Sequence, residues 1–411
     1  MPTVLLIGTL DTKGREYAFV RDRLQQSGVD TIVLDAGVLG DPAGTADIDN
    51  DAVARAGGST LNALREAHDR GEAVATMARG ATVIAQRLLE EHRIDGAFAL
   101  GGTGGTTIAS QVMRTLPVGF PKLILSTVAA GDTRPYLGGK DITLMYSVVD
   151  VAGINSVSRP ILSNAAAAIA GMVTAGPPPS APTPASDRPI VAATMFGVTT
   201  PAVETARARL EELGYEVLVF HCTGVGGMSM EGLIEAGFVS GVLDITTTEL
   251  ADELVGGVFS AGPTRLTAAG RAGIPQAVSF GALDMVNFGP RDTVPPPFAG
   301  RLLHTHNATV TLMRTTPGEN AELGRRLAER LNAATGPVTV HIPLLGVSAI
   351  DCEGEPFHDA VADQALFAAF DQAVAAHVSV LRRSTTINDP QFAVEMAETL
   401  HSNIQSSRRS S

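Results

Sequence analysis

Two glycine-rich loops in the first half of the chain have the composition of phosphate-binding loops. Residues 8–14 read Gly-Thr-Leu-Asp-Thr-Lys-Gly, and residues 101–107 read Gly-Gly-Thr-Gly-Gly-Thr-Thr. So many glycines lose much backbone entropy on folding, which is explained if the backbone must approach a phosphate closely. A tight turn is the alternative, although it needs fewer glycines. The second loop is not a Walker A loop, because no Gly-Lys-Ser/Thr follows it.

The side chains of these loops suit a nucleotide that carries magnesium. Threonine hydroxyls and loop amides can donate to phosphate, and Lys13 can add a positive charge. Asp11 and Asp132 offer carboxylate oxygens to Mg²⁺. An ordinary strand-to-helix loop with an Asp cap is the alternative for the first loop. The predicted nucleotide-binding residues are Thr9, Asp11, Thr12, Lys13, Gly102, Thr103, Gly104, Gly105, Thr106, Thr127 and Asp132.

Three loops in the second half could hold a small carboxylate or phosphate. They are residues 196–201, the glycine-rich residues 221–229, and residues 244–249 with an acid and three threonines. Helix capping alone would also explain the threonines, since Thr246 and Glu249 match a capping box. The predicted substrate-binding residues are Thr199, Thr200, Gly224, Gly226, Gly227, Thr246, Thr247 and Thr248.

His304 and His306 are the histidines whose spacing suggests a role. They alternate, so they would share one face of an extended segment. A histidine can take or give a proton near neutral pH, which makes His306 a candidate general base. A core histidine is the common alternative. A histidine-based metal site has little support, because the sequence contains neither His-Glu-x-x-His nor Cys-x-x-Cys.

Short apolar runs precede these loops and predict the strands that position them. Strands alternate with helical patterns in both halves, which predicts an α/β protein with two Rossmann-like domains, each a mostly parallel sheet flanked by helices. The predicted organisation is a nucleotide-binding domain over residues 1–175, a proline-rich linker over 176–189, and a second α/β domain over 190–385. A helix and a flexible tail follow over 386–411. Asp150 and Asn155 precede the helix before the linker, and either could simply cap it.

Composition limits the classes of function. The chain has 411 residues, of which 45% are hydrophobic and 18% charged, and its net charge is −13. A nucleic-acid-binding role therefore has little electrostatic support. Two cysteines suit a reducing compartment, the N-terminus does not resemble a signal peptide, and no apolar run approaches a membrane span. We expect a cytoplasmic protein without membrane or nucleic-acid partners.

Several motifs together resemble one known family. They are residues 8–14, 101–106, 196–201, 221–227, 244–249 and 280–288. They resemble the ATP-binding family that includes the N-terminal region of the tomato mosaic virus resistance protein. The resemblance implies two Rossmann-like domains, ATP with Mg²⁺ on the first, and a homodimer or higher homo-oligomer. It places ATP on residues 9–13 and 102–106, and on Thr127 and Asp132. His304 stands where the family pattern has an aromatic residue, whereas His306 and Asn307 match it.

The leading functional hypothesis is an ATP-dependent enzyme, a transferase or ligase, that acts on a small anionic metabolite. ATP would bind the first domain and the metabolite would bind across the cleft between the domains. The first alternative is a non-catalytic nucleotide-binding module that regulates a partner. The second is a hydrolase or lyase in which the nucleotide is structural and His306 is essential.

Overall fold

The computed structural model describes residues 1–40, 45–175 and 188–410. All but the last two residues of the predicted linker, 176–189, therefore lie outside the described residues. Contacts divide the chain into two units, Met1–Thr183 and Pro184–Ser411.

The first unit is built on a five-stranded parallel sheet. In chain order its strands are β1 (Thr3–Gly8), β2 (Asp30–Asp35), β3 (Gly96–Gly101), β4 (Lys122–Ser126) and β5 (Thr143–Tyr146). Its helices are α1 (Leu10–Gln26), α2 (Asn50–Ala56), α3 (Leu61–Ala67), α4 (Arg70–Glu90), α5 (Thr103–Met113), α6 (Arg134–Leu137) and α7 (Ser158–Thr174). The strand order is β2-β1-β3-β4-β5.

Both faces of this sheet are covered, which explains why its strands are continuous apolar runs. In β1, Leu5 and Ile7 pack with α2, α4 and α5, while Val4 and Leu6 pack with α1 and α7. Alternate side chains of a strand point to opposite faces, so every residue of such a strand must be apolar. This layering makes the first unit a Rossmann-like domain.

The second unit contains a six-stranded parallel sheet and a small three-stranded antiparallel sheet. Its strands are β6 (Ile190–Met195), β7 (Glu216–His221), β8 (Gly241–Thr246), β9 (Gln276–Gly281), β10 (Met285–Phe288), β11 (Leu303–Asn307), β12 (Val310–Arg314), β13 (Val338–Pro343) and β14 (Ser379–Arg383). Its helices are α8 (Thr200–Glu212), α9 (Val225–Glu235), α10 (Glu249–Val255), α11 (Ala268–Ala272), α12 (Pro317–Asn332), α13 (Ala360–Ala373) and α14 (Pro390–Ser410).

The parallel sheet has the order β14-β13-β9-β8-β6-β7, so the second unit is also Rossmann-like. The apolar run in β12 belongs instead to the antiparallel sheet β10-β12-β11. Periodicity identifies such a run as a strand but does not say which sheet it joins, because the partner strand is chosen by tertiary contacts. None of the described helices is both long enough and apolar enough to cross a membrane.

The C-terminal helix α14 is part of the second unit's core. Its buried residues include Phe392, Met396, Leu400 and Ile404, which pack with α8 against the sheet. The helix continues to Ser410, beyond the point where the sequence predicted a flexible tail. The apolar spacing of its first three turns fixes the helix on the sheet, and the polar end continues from it.

His341 makes the stability of the second unit depend on pH. It is fully buried on β13 against Phe392, neither ring nitrogen has a hydrogen-bond partner, and burial lowers its pKa to about 4. Below pH 6.5, His341 therefore binds a proton in the unfolded chain but not in the folded chain. We expect the free energy of unfolding to fall by up to about 1.4 kcal/mol per pH unit from this group, between pH 6.5 and 4.

Urea unfolding of the wild type and of His341→Leu across this pH range measures the effect. The variant should lose less stability on acidification than the wild type. His377→Leu, at an exposed position, is the matched control and should keep the wild-type slope. Equal slopes for the wild type and His341→Leu would show that His341 is not the group responsible.

Candidate functional site

A cavity opens at the carboxyl ends of β1 and β3, where the strand order of the first unit reverses. From β1 the chain adds β2 on one side and then β3, β4 and β5 on the other. The loops after β1 and β3 must therefore diverge, and ligands of open α/β sheets bind in the crevice between them. The cavity has a volume of about 620 Å³, within the ordinary range for a ligand pocket.

Tyr17 links the two strands whose carboxyl ends flank this crevice. Its hydroxyl donates to the carbonyl of Ile7 at the end of β1 and accepts from the amide of Leu100 at 2.9 Å, at the end of β3. It thereby bridges the two strands where their own pairing ends, and burial raises its pKa. Sequence reasoning missed Tyr17, because a tyrosine within a helical pattern gives no signal that its hydroxyl reaches two strands.

The first loop is held by its own hydroxyls and by the loop that follows β2. The side-chain oxygens of Thr9 and Thr12 are 3.0 Å apart. Asp11 Oδ2 accepts from the amide of Leu39 at 3.0 Å, whereas its Oδ1 is buried and has no hydrogen-bond partner among the residues that the structure describes. Lys13 has non-helical backbone angles and kinks the start of α1. Thr9, Asp11, Thr12 and Lys13, which the sequence predicts to bind a nucleotide, all border the cavity.

Asp35 fixes the spacing between this loop and the next. Its Oδ1 accepts from the amides of Leu10 at 3.0 Å and Gly37 at 2.8 Å. Burial raises the pKa of Asp35, and the two hydrogen bonds from backbone amides oppose that shift. An acid at the end of β2 was visible in the sequence, but its two amide donors are brought to it only by the fold.

The second loop leads into α5, and no side chain caps the N-terminus of this helix. Gly102 is the N-cap residue. The first-turn amides of Thr103, Gly104 and Gly105 have no acceptor within the helix, and such amides together with the helix dipole favour an anion. All four of these residues border the cavity.

The glycines of this loop are not required by the protein's own packing. A Cβ atom at Gly102, Gly104 or Gly105 would meet no protein atom closer than 3.4 Å. None of the three has a positive φ, unlike Gly101 with a φ of 150°. A Cβ atom would therefore fit at each of the three positions, so packing does not demand glycine there, and the close approach of a ligand is a physical reason for it.

The remainder of the cavity wall combines apolar and basic residues. Its apolar residues are Ala36, Val38, Leu39, Leu64, Ala73, Val74, Met77 and Ile108. Its basic residues are Lys13, Arg65, His68 and Arg70. Such a combination suits a ligand that has a flat apolar part and an anionic part.

Three predicted residues support the second loop or lie apart from the cavity. Thr106 donates to the carbonyl of Gly102 at 2.8 Å and its hydroxyl is 2.6 Å from that of Ser126, so it positions the loop from below. The amide of Thr127 donates to the carbonyl of Gly101 at 3.2 Å. Asp132 pairs with Arg134 at 2.8 Å, which lowers the pKa of Asp132, and it does not border the cavity.

Of the two polar residues singled out before α7, Asp150 rather than Asn155 borders the cavity. Asn155 accepts from the amides of Val157 and Ser158 and so caps the helix. Asp11, Asp69 and Asp150 are the carboxylates of the cavity wall. The described residues contain no group of three or more ligating side chains. Mg²⁺ is commonly bound by one or two carboxylates together with substrate phosphates, so this wall fits Mg²⁺ that arrives with a phosphate ligand.

In the second unit, Glu249 occupies the glycine-rich loop that follows β7. Its Oε1 accepts from the amides of Gly224 at 2.8 Å and Gly227 at 3.1 Å. Its Oε2 accepts from Arg265 at 2.7 Å. The predicted capping box is therefore wrong, because Glu249 bonds this loop and Arg265, and Thr248 forms no side-chain cap.

Packing explains the glycines of this second-unit loop. A Cβ at Gly226 would lie 1.8 Å from the carbonyl oxygen of His221, and one at Gly227 would lie 2.1 Å from Glu249 Oε2. Real Cβ atoms do not approach that closely, so glycine is needed for the fold itself. Here the same residue type has a purely structural reason.

The threonines predicted to bind substrate are bonded within the second unit. The hydroxyls of Thr199 and Thr246 are 2.7 Å apart, and those of Thr200, Thr247 and Thr248 donate to backbone carbonyls. The side chains of Thr199, Thr246, Thr247 and Thr248 are fully buried. Their hydroxyls reach a ligand only if these bonds exchange.

The two histidines of β11 contact different neighbours. His304 packs its ring against Phe357 with 6.1 Å between the ring centroids. His306 is exposed, and a Cβ at Gly197 would lie 3.7 Å from its Cε1. The pairing of β11 with β12 shifts between Thr305 and Asn307, so the strict alternation that the sequence predicted is interrupted at His306.

The fold and the cavity define a protein of two Rossmann-like units whose first unit has an open pocket at its topological switch point. The chain belongs to the uncharacterised protein family UPF0261. The family's N-terminal domain matches residues 2–178, and its C-terminal domain matches residues 188–404.

Relatives occur in bacteria and in a plant. The chain is 52% identical to the UPF0261 protein of Clostridium tetani, over 97% of this chain and 98% of that one. It is 43% identical to the ToMV resistance protein Tm-1(GCR237) of Solanum lycopersicum, over 89% of this chain but 50% of the tomato protein. The UDP-GlcNAc 2-epimerase of Neisseria meningitidis aligns over 97% of this chain and 94% of its own, at 11% identity and a TM-score of 0.23. That score is too low to carry a conclusion.

Proposed function

We propose that the first unit binds ATP with Mg²⁺ in the cavity at the ends of β1 and β3. The observation that carries this proposal is a cavity lined by Gly102, Gly104 and Gly105, glycines that the protein's own packing does not demand, at a helix start whose amides have no acceptor in the helix. A phosphate fits such a place by charge and by size. In this proposal the apolar wall that includes Leu64, Val74 and Met77 receives the base.

The charged groups divide the remaining tasks. Lys13 neutralises phosphate, and the hydroxyls of Thr9, Thr12 and Thr103 donate to it. Asp11 has an unpartnered carboxylate oxygen and, with Asp150, would hold Mg²⁺. When bound, the metal supplies charge neutralisation to the phosphates. Asp132 has a lesser role in this proposal than the sequence suggested, because it is paired with Arg134.

We further propose that the protein is an ATP-dependent enzyme, a transferase or ligase, with a small anionic metabolite as its substrate. The metabolite's site would use the loops of Thr199, Gly224 and Thr246. Donors in these loops are engaged by Glu249 or by one another, so binding there requires exchange of those bonds. The same observation favours the second candidate, a nucleotide-binding module without turnover. A hydrolase or lyase that depends on His306 is the third.

Calorimetric titration with ATP, in the presence and absence of Mg²⁺, tests the binding proposal. We expect saturable binding that is stronger with Mg²⁺. Asp11→Asn keeps an oxygen that can accept from Leu39 but removes the charge, so it should reduce the strengthening by Mg²⁺ roughly tenfold. Asp51→Asn, on an exposed helix and paired with Arg55, is the matched control. Absence of ATP binding by the wild type would refute the proposal.

Turnover and assembly are separate measurements. Phosphate or pyrophosphate release from ATP is followed with a panel of organic acids and sugars. Release that depends on one of them supports the enzyme, and binding without release supports the non-catalytic module. Loss of an identified activity in His306→Gln, with ATP binding intact, would support the third candidate. The proposed homodimer is tested by light scattering in solution.

A further inference from the structure

The connection between α3 and α4 places three consecutive residues at the cavity. His68 ends α3 in the left-handed conformation with a φ of 51°, and Asp69 caps α4 by accepting from the amide of Glu72 at 3.0 Å. Arg70 is the first residue of α4. All three border the cavity, and Nη2 of Arg70 would lie 3.8 Å from a Cβ at Gly104. The guanidinium is therefore beside the glycines at the start of α5.

A positive charge at the position of Arg70 is destabilised unless an anion binds next to it. Positive charge at the start of a helix is opposed by the helix dipole. Among the described residues, no ion pair or hydrogen bond involves the Arg70 side chain, although the chain carries a net charge of −13. Arg79, farther along the same helix, pairs with Glu72 at 3.0 Å. Asp69, the acid next to Arg70, is engaged as the cap of α4.

We propose that Arg70 is a phosphate-positioning residue, whose guanidinium binds the same phosphate group that the first-turn amides of α5 receive. The inference rests on the proposed nucleotide site, and it adds that the bound ligand carries a di- or triphosphate. A guanidinium presents paired donors that match two phosphate oxygens, which a lysine ammonium does not reproduce. Arg70 therefore sets a preference for polyphosphate ligands over the nucleoside alone.

Titration of the wild type, Arg70→Gln, Arg70→Lys and Arg87→Gln tests this role at one ionic strength. The ligands are ATP with Mg²⁺, pyrophosphate with Mg²⁺, and adenosine. Arg70→Gln should weaken the binding of ATP and of pyrophosphate roughly ten- to hundredfold and leave the affinity for adenosine unchanged. Arg70→Lys should lie between the wild type and Arg70→Gln. Arg87 is exposed in the last turn of the same helix, so Arg87→Gln controls for the loss of charge.

The outcomes separate this inference from the proposed function. Equal affinities of Arg70→Gln and Arg87→Gln for ATP and pyrophosphate would overturn the role of Arg70, with ATP binding intact. Binding of pyrophosphate but not ATP, weakened in Arg70→Gln, would support Arg70 while the ATP proposal fails. Binding of neither ligand by the wild type would overturn both. Thermal unfolding without ligand should show no loss of stability in Arg70→Gln or Arg70→Lys, because the Arg70 side chain has no partner among the described residues.

Discussion

Replacing Glu249 with alanine is expected to lower the free energy of unfolding of the second unit by roughly 3–5 kcal/mol. Glu249 and Arg265 are both fully buried, and Nε of Arg265 donates to Glu249 Oε2 at 2.7 Å. Truncation would leave one side of this guanidinium without its counter-charge. It would also orphan the buried amides of Gly224 and Gly227. Each unsatisfied buried group adds a cost of about 1–3 kcal/mol.

Asp244 limits this loss without preventing it. Its carboxylate accepts from Nη1 of Arg265 at 2.6 Å and from Nη2 at 2.7 Å. Arg265 keeps this partner in the variant, together with Glu231 at 3.6 Å and the carbonyl of Thr246 at 3.3 Å. The pKa of Glu249 is raised by burial, and the charge and hydrogen bond of Arg265 oppose that shift. The carboxylate is thus held in place by Arg265, and the two residues act as one unit.

Urea unfolding followed by far-ultraviolet circular dichroism measures the effect, because the chain has no tryptophan. The matched control is Glu235→Ala, which removes a carboxylate paired with Arg271 at 2.6 Å but more than half exposed. Exposed pairs contribute about 0–1 kcal/mol, so this control should change stability little. A loss below about 1 kcal/mol in Glu249→Ala would contradict the structural role assigned to the buried carboxylate.

The second large effect is expected for Gly104→Val, which should weaken ATP binding at least roughly a hundredfold. A Cβ at Gly104 has its nearest protein atom, Nη2 of Arg70, at 3.8 Å, so the valine side chain enters the cavity rather than the core. It would occupy the space over the first-turn amides of α5 and keep a phosphate away from them. Because the backbone of Gly104 has no positive φ, valine does not strain it.

Calorimetric titration with ATP and Mg²⁺ compares this variant with the wild type and with Gly171→Val. Gly171 lies in α7 of the same unit, and a Cβ there meets nothing within 4 Å, so this control tests valine in a helix outside the cavity. It should bind like the wild type. If the affinity of Gly104→Val for ATP were unchanged, the ligand would not bind at the glycine-rich loop, and the proposal for this site would be contradicted.

Many of the residues that border the N-terminal cavity could be picked out from sequence because they lie on local elements. A strand that ends in a glycine-rich loop and continues as a helix is one contiguous segment, and two such segments end at residues that border the cavity. Asp132 shows the limit of the same reasoning. Its loop also follows a strand, but Arg134, two residues away, donates hydrogen bonds to both carboxylate oxygens of Asp132. A short-range pairing of this kind depends on the turn that the loop adopts.

The sequence by itself determined the parallel α/β architecture, since continuous apolar strands followed by helices can bury both faces of a sheet in few other ways. It did not determine which glycine-rich loop is open. At Gly104 the neighbouring space is free, whereas at Gly227 it is filled by Glu249, a residue 22 positions away that the fold brings to the loop. Both loops are rich in glycine, and only the side chains that the tertiary structure brings to each loop leave one open to a ligand and fill the other with a carboxylate.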